Sequence, residues 1–73
     1  MPSNLHVVQN GKMWEVKAEK VSLPISRHYN QSNAIEQATS VAREKHVEVL
    51  IHGRDGRIRE RNSFGNDPFP PRG

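Results

Sequence analysis

Asn30-Gln31-Ser32-Asn33-Ala34-Ile35-Glu36-Gln37-Ala38-Thr39-Ser40-Val41-Ala42-Arg43-Glu44-Lys45 is the stretch that decides the fold. Ala34, Ile35, Ala38, Val41, Ala42 and Lys45 recur at helical spacing and gather one apolar stripe along one side of a helix predicted over 31–45. Asn30 is the expected N-cap and Ser32 the alternative. Neither is followed three residues on by Glu or Gln, so the full capping box is absent. Arg43, Lys45 and His46 stand where cations meet the negative end of the helix dipole. Three of the stripe residues are alanine, so the helix can lie close against a flat partner. A sheet is the natural one.

The flanking sequence supplies that sheet. Leu5 to Gln9 has the β-branched content of a strand, and Asn10-Gly11 follows as a hairpin signal. Met13 to Glu19 then alternates strictly, with Trp14, Val16 and Ala18 on one side and Met13, Glu15, Lys17 and Glu19 on the other. Ile25 to Tyr29 reads as a short third strand, and Pro24 confines that region to an edge. On the far side of the helix, Val47 to His52 alternates again. Asp55-Gly56 forms a turn, and Ile58 to Asn62 runs back. With Asp55 and Gly56 as the loop, His52 faces Arg59 and Leu50 faces Arg61. Ile58 then joins Val49 and Ile51 on the core side, while Arg57, Arg59 and Arg61 share the other side. The predicted fold class is α+β: an antiparallel sheet of four or five strands, β-β-(β)-α-β-β, with one helix on one face. The predicted core is Leu5, Val7, Trp14, Val16, Ile25, Ala34, Ile35, Ala38, Val41, Ala42, Val49, Ile51 and Ile58. One helix covers one side of a sheet, so the opposite side meets water, the tail or a partner.

Several of these stretches recur together in one known family. The Trp14-Glu15-Val16-Lys17 strand, the Asn30 cap with Ala34, Val49-Leu50-Ile51-His52-Gly53, the Asp55-Gly56-Arg57-Ile58 turn and the terminal Asp67-Pro68-Phe69-Pro70-Pro71 resemble, in order and spacing, the small bacterial domain of unknown function 2188. The likeness runs from about residue 5 to residue 72. Where that family usually has Thr at the helix cap this chain has Asn30, which keeps the capping role. The resemblance implies a bacterial or phage-related, stand-alone cytoplasmic protein. It implies no activity and carries over no functional residues.

Length and composition bound the rest. The 73 residues fit one small domain, expected over 1–64, with a proline-rich tail over 65–73. The absence of cysteine excludes disulfides, thiolate zinc sites and cysteine nucleophiles. No apolar run is long enough to span a bilayer. Eleven Lys and Arg against eight Asp and Glu give a net charge of +3, as compatible with plain solubility as with a polyanion.

The candidate contacts follow from these expectations. Arg54, Arg57, Arg59 and Arg61, with His52, are candidate phosphate or partner contacts, because guanidinium forks at alternate strand positions suit phosphate oxygens. The competing reading is a solvated edge that discourages strand pairing, with Glu48 and Glu60 partly neutralising the row. Met13, Leu50, Phe64 and Phe69 are the candidate self-association residues: Met13 and Leu50 point away from the helix and call for a cover, either the tail folded back through Phe64 or Phe69 or a second copy stacked sheet on sheet. His6, His28, His46 and His52 have no ligand spacing in sequence, and no metal or cofactor is expected. No serine sits in a nucleophile elbow and no carboxylate pair is spaced for acid–base work, so no enzyme is expected. The expectation is a non-enzymatic binding or assembly module in the cytoplasm that works through the uncovered sheet face and the tail. Its partner is a second copy or another protein; the alternative is nucleic acid bound through the arginine hairpin. Neither a membrane nor a small-molecule substrate is expected.

Overall fold

The computed structural model describes residues 3–64, so the tail over 65–73, with Phe69, lies outside the described residues. β1 (Leu5–Asn10) and β2 (Met13–Ala18) pair antiparallel from Leu5↔Ala18 to Asn10↔Met13. The hairpin loop is therefore Gly11-Lys12, one residue later than Asn10-Gly11. Gly11, at φ 65°, supplies the positive φ that a two-residue hairpin needs. β3 (Ser26–His28) adds antiparallel to β2 at the sheet edge.

The helix α1 (Gln31–Lys45) has the expected bounds. The Asn30 side chain accepts from the Asn33 backbone N–H at 3.0 Å, which satisfies one of the free donors of the first turn. His46 ends the helix in the left-handed region, at φ 57°. Two last-turn residues, Arg43 and Lys45, are basic. β4 (Glu48–His52) and β5 (Ile58–Ser63) complete the sheet in the order β3-β2-β1-β4-β5.

The sheet is mixed: β1 and β4 pair parallel, through Leu5↔Val49, His6↔Leu50 and Val7↔Ile51. The reason is topological. β3 runs in the same direction as β1, because each is antiparallel to β2. α1 then carries the chain back to the starting end and across two strands, so β4 leaves in that direction too. A wholly antiparallel sheet has no place for this crossover.

The core lies between α1 and one face of the sheet. Ala34, Ala38 and Ala42 are fully buried against Leu5, Val7, Trp14, Val16, Val49 and Ile51, and Val47 joins them. Ile35, Val41, Ala18 and Phe64 pack at the rim. Two expected core residues are elsewhere. Ile25 is 48% exposed, because Ser26 takes the position opposite Val16 and turns Ile25 away from the helix. Ile58 is 50% exposed, because a bulge at Ile51/His52 pairs it with His52 on the helix-free face.

Candidate functional site

The register assigns every strand residue to a face. His6 and Val8 of β1, Met13, Glu15 and Lys17 of β2, Arg27 of β3, and Glu48, Leu50 and His52 of β4 share the side away from α1. Ile58, Arg61 and Ser63 of β5 join them. This face carries both signs of charge, and both of its carboxylates, Glu15 and Glu48, are paired with an arginine. Arg27 Nε lies 3.1 Å from Glu15 Oε2, and Arg61 Nε lies 3.7 Å from Glu48 Oε1. Glu15 is only 3% exposed, and Asn10 Nδ2 also donates to it at 3.1 Å.

The arginine row does not form one surface. Simple alternation places Arg57, Arg59 and Arg61 together, but the bulge inserts Arg59 between the pairs Ile51↔Glu60 and His52↔Ile58. Arg61 stays on the helix-free face opposite Leu50. Arg59 instead turns toward Asp55, donating to Oδ2 at 3.1 Å. With Arg54 it lines a pocket that also touches Trp14 and Ile35 on the helix side. Arg57 Nε stands 3.8 Å from the same Asp55 carboxylate. His52 therefore faces Ile58, not Arg59.

The self-association residues are similarly divided. Leu50 does point away from the helix, but it is only 5% exposed. Met13 is half-buried. Phe64 packs against the helix-side core, with the Arg43 guanidinium 5.5 Å from its ring centre. Among the described residues the exposed large apolar side chains are Val21, Leu23, Ile25, Tyr29 and Ile58. Four of these five flank β3.

The most organised constellation on the helix-free face is a chain of four groups. Glu19 Oε2 lies 3.2 Å from His6 Nε2, His6 Nδ1 lies 2.8 Å from His52 Nε2, and His52 Nδ1 lies 2.9 Å from the Gly56 carbonyl oxygen. The ring centres are 5.0 Å apart, which is the 2.8 Å contact plus about one ring radius at each end. The two nitrogens thus meet nearly head-on, as a shared hydrogen requires. The hydrogen count then follows. A backbone carbonyl only accepts, so His52 Nδ1 carries a hydrogen. The contact with Glu19 needs another, and the contact between the rings needs a third. Satisfying all three contacts at once takes one hydrogen more than two neutral imidazoles beside a carboxylate supply.

Both histidines border an open pocket of about 400 Å³, closed by Val8, Lys17, Ala18 and the Glu19–Ser22 turn. Lys17 stands directly across from His6 in the β1–β2 register. Among the described residues no group of three or more His, Asp or Glu side chains is arranged to hold a metal ion. None of the described helices is long and apolar enough to cross a membrane.

Sequence reading missed the histidine chain. His6 and His52 are 46 positions apart. The signal present was only that each sits on the polar side of its strand.

Among the described residues the fold and this face define a small α+β module with one α-helix, one buried sheet face and one helix-free sheet face that carries both signs of charge. The chain belongs to the family described as uncharacterized protein conserved in bacteria (DUF2188), whose model matches residues 5–64. It is similar to the uncharacterized protein YdaT of Bacillus subtilis (strain 168), at 33% identity over 61 residues. The match covers 84% of this chain and 41% of that relative, so the chain spans about two-fifths of the relative's length. No solved structure matches the chain significantly. Neither description names an activity.

Proposed function

We propose that the chain is a non-enzymatic assembly module whose partner is a second copy of itself, met along the β3 side of the sheet. The observation that carries this reading is the contrast between the two sheet edges. β5 is guarded: Arg59, Glu60 and Arg61 are all exposed along it, the usual protection against strand pairing. β3 is not. Its one charged residue, Arg27, is already paired with the buried Glu15. Around it stand Val21 at 50%, Leu23 at 77%, Ile25 at 48% and Tyr29 at 83% exposure. Apolar side chains gathered beside an unpaired strand edge favour burial against another chain.

The phosphate-contact alternative has less support. Arg57, Arg59 and Arg61 each have a carboxylate within 4 Å, and polyanion binding would have to displace it.

Sedimentation equilibrium tests the proposal. The wild-type chain is expected to be a dimer, and Leu23→Asp a folded monomer. A wild-type chain that stays monomeric across the accessible concentrations, or a Leu23→Asp dimer of unchanged strength, overturns it.

A further inference from the structure

We propose that the pocket bordered by His6, His52, Lys17 and the Glu19–Ser22 turn is a binding site for a small tetrahedral dianion of the sulfate or phosphate type. Occupancy is, on the same proposal, coupled to uptake of one additional proton shared between the two histidines. The site shares only Val21 with the apolar surface beside β3, and its charged groups stand without the dimer.

Three observations support it. The first is charge. Among the described residues neither Lys17 nor Lys20 makes an ion pair, and both line the pocket. The only acid there, Glu19, is held by His6. Two ammonium groups and one shared imidazolium proton against one carboxylate leave a surplus of two positive charges, which a dianion matches. On the other side of His52, Asp55 is occupied by Arg57 and Arg59.

The second is backbone strain. Val21 N–H donates to the Ala18 carbonyl at 3.1 Å, closing a turn whose third residue is Lys20. Lys20 has φ 67°, at a position that glycine or asparagine ordinarily fills. A lysine there carries a conformational cost that glycine would not, and its side chain borders the pocket.

The third is division of labour. All four imidazole nitrogens are engaged within the histidine chain. The histidines therefore contribute charge, and the direct donors to an anion are the Lys17 and Lys20 ammonium groups and the Ser22 hydroxyl. When the shared proton leaves, the pocket loses one unit of positive charge and the His6–His52 contact becomes two facing lone pairs. Anion binding and proton uptake then favour each other, as linkage requires.

Inorganic sulfate is the probe, because its charge is constant over the range in which histidine titrates. Sulfate is added to the labelled protein at about pH 5 and about pH 8, and amide shifts are followed by NMR. Saturable shifts centred on Lys17–Ser22, His6 and His52 are expected at the lower pH. Binding should be about tenfold weaker at the higher pH, a scale set by one unit charge a few ångströms away. Acetate, singly charged, should bind more weakly than sulfate.

Lys20→Gly separates function from folding. It relieves the positive φ, so the fold should be retained or strengthened while sulfate binding is lost. The double variant His6→Gln/His52→Gln should bind sulfate with little pH dependence. The site is overturned if sulfate gives no saturable shifts at the lower pH, or if Lys20→Gly binds as tightly as wild type. The proton coupling is overturned if the double variant keeps the full pH dependence.

Discussion

Glu15 offers a sharp test of how the helix-free face is held together. The residue is 3% exposed and its carboxylate has two partners, Arg27 Nε at 3.1 Å and Asn10 Nδ2 at 3.1 Å. Arg27 itself is 61% exposed, so solvent screens its charge and the vacated space can fill with water. Removing one partner of a fully buried pair costs about 3–5 kcal/mol. With one end in water and Asn10 still donating, Arg27→Ala should cost about 1–2 kcal/mol. Glu15→Met replaces the carboxylate by an apolar side chain of similar length and should lie within about 1 kcal/mol of wild type. In that background Arg27→Ala should cost less than about 0.5 kcal/mol, since the charge it served is gone. Urea denaturation of the four proteins gives the cycle, and each kcal/mol corresponds to roughly 4–8 °C in Tm for a domain of this size. An equal cost of Arg27→Ala in both backgrounds would refute the pairing as the reason Glu15 is tolerated there.

Three further outcomes follow from the packing. Ala38 is fully buried between α1 and the sheet, so Ala38→Leu should push the helix away and cost about 1–3 kcal/mol in urea unfolding. Asn30→Ala removes the acceptor for Asn33 N–H and should cost about 1 kcal/mol, with amide exchange quickening in the first helical turn. Leu50 is covered within its own chain, at 5% exposure. Leu50→Glu should therefore lower the unfolding midpoint of the domain by burying a charge, and the fraction folded should fall before any change in sedimentation mass.

Local patterns made much of the fold legible. Period-two alternation identified β2 and β4, and the 31–45 stripe with its Asn30 cap identified α1 and the face it buries. What local patterns do not contain is which distant strands become neighbours. The parallel β1–β4 pair depends on the crossover geometry of α1, and that pair brings His6 beside His52. Alternation also fails wherever a strand carries an extra residue. The bulge opposite Ile51 and His52 turned Ile58 out of the core and separated Arg59 from Arg61. Nothing in Arg57-Ile58-Arg59-Glu60-Arg61 marks the insertion, because its side chains suit solvent on either face. The β3 edge was partly legible: Pro24 marked it as an edge, but Ile25 was assigned to the core on hydrophobicity alone.

The assembly reading depends on β3 being the open edge and β5 the closed one, and amide hydrogen exchange measures both at once. With the protein at high and at low concentration, the backbone amides of Ser26–His28 should be protected in the concentrated sample and released on dilution. Those of Ile58–Ser63 should exchange at the same rate in both. Concentration-dependent protection along β5, or none along β3, would contradict the account.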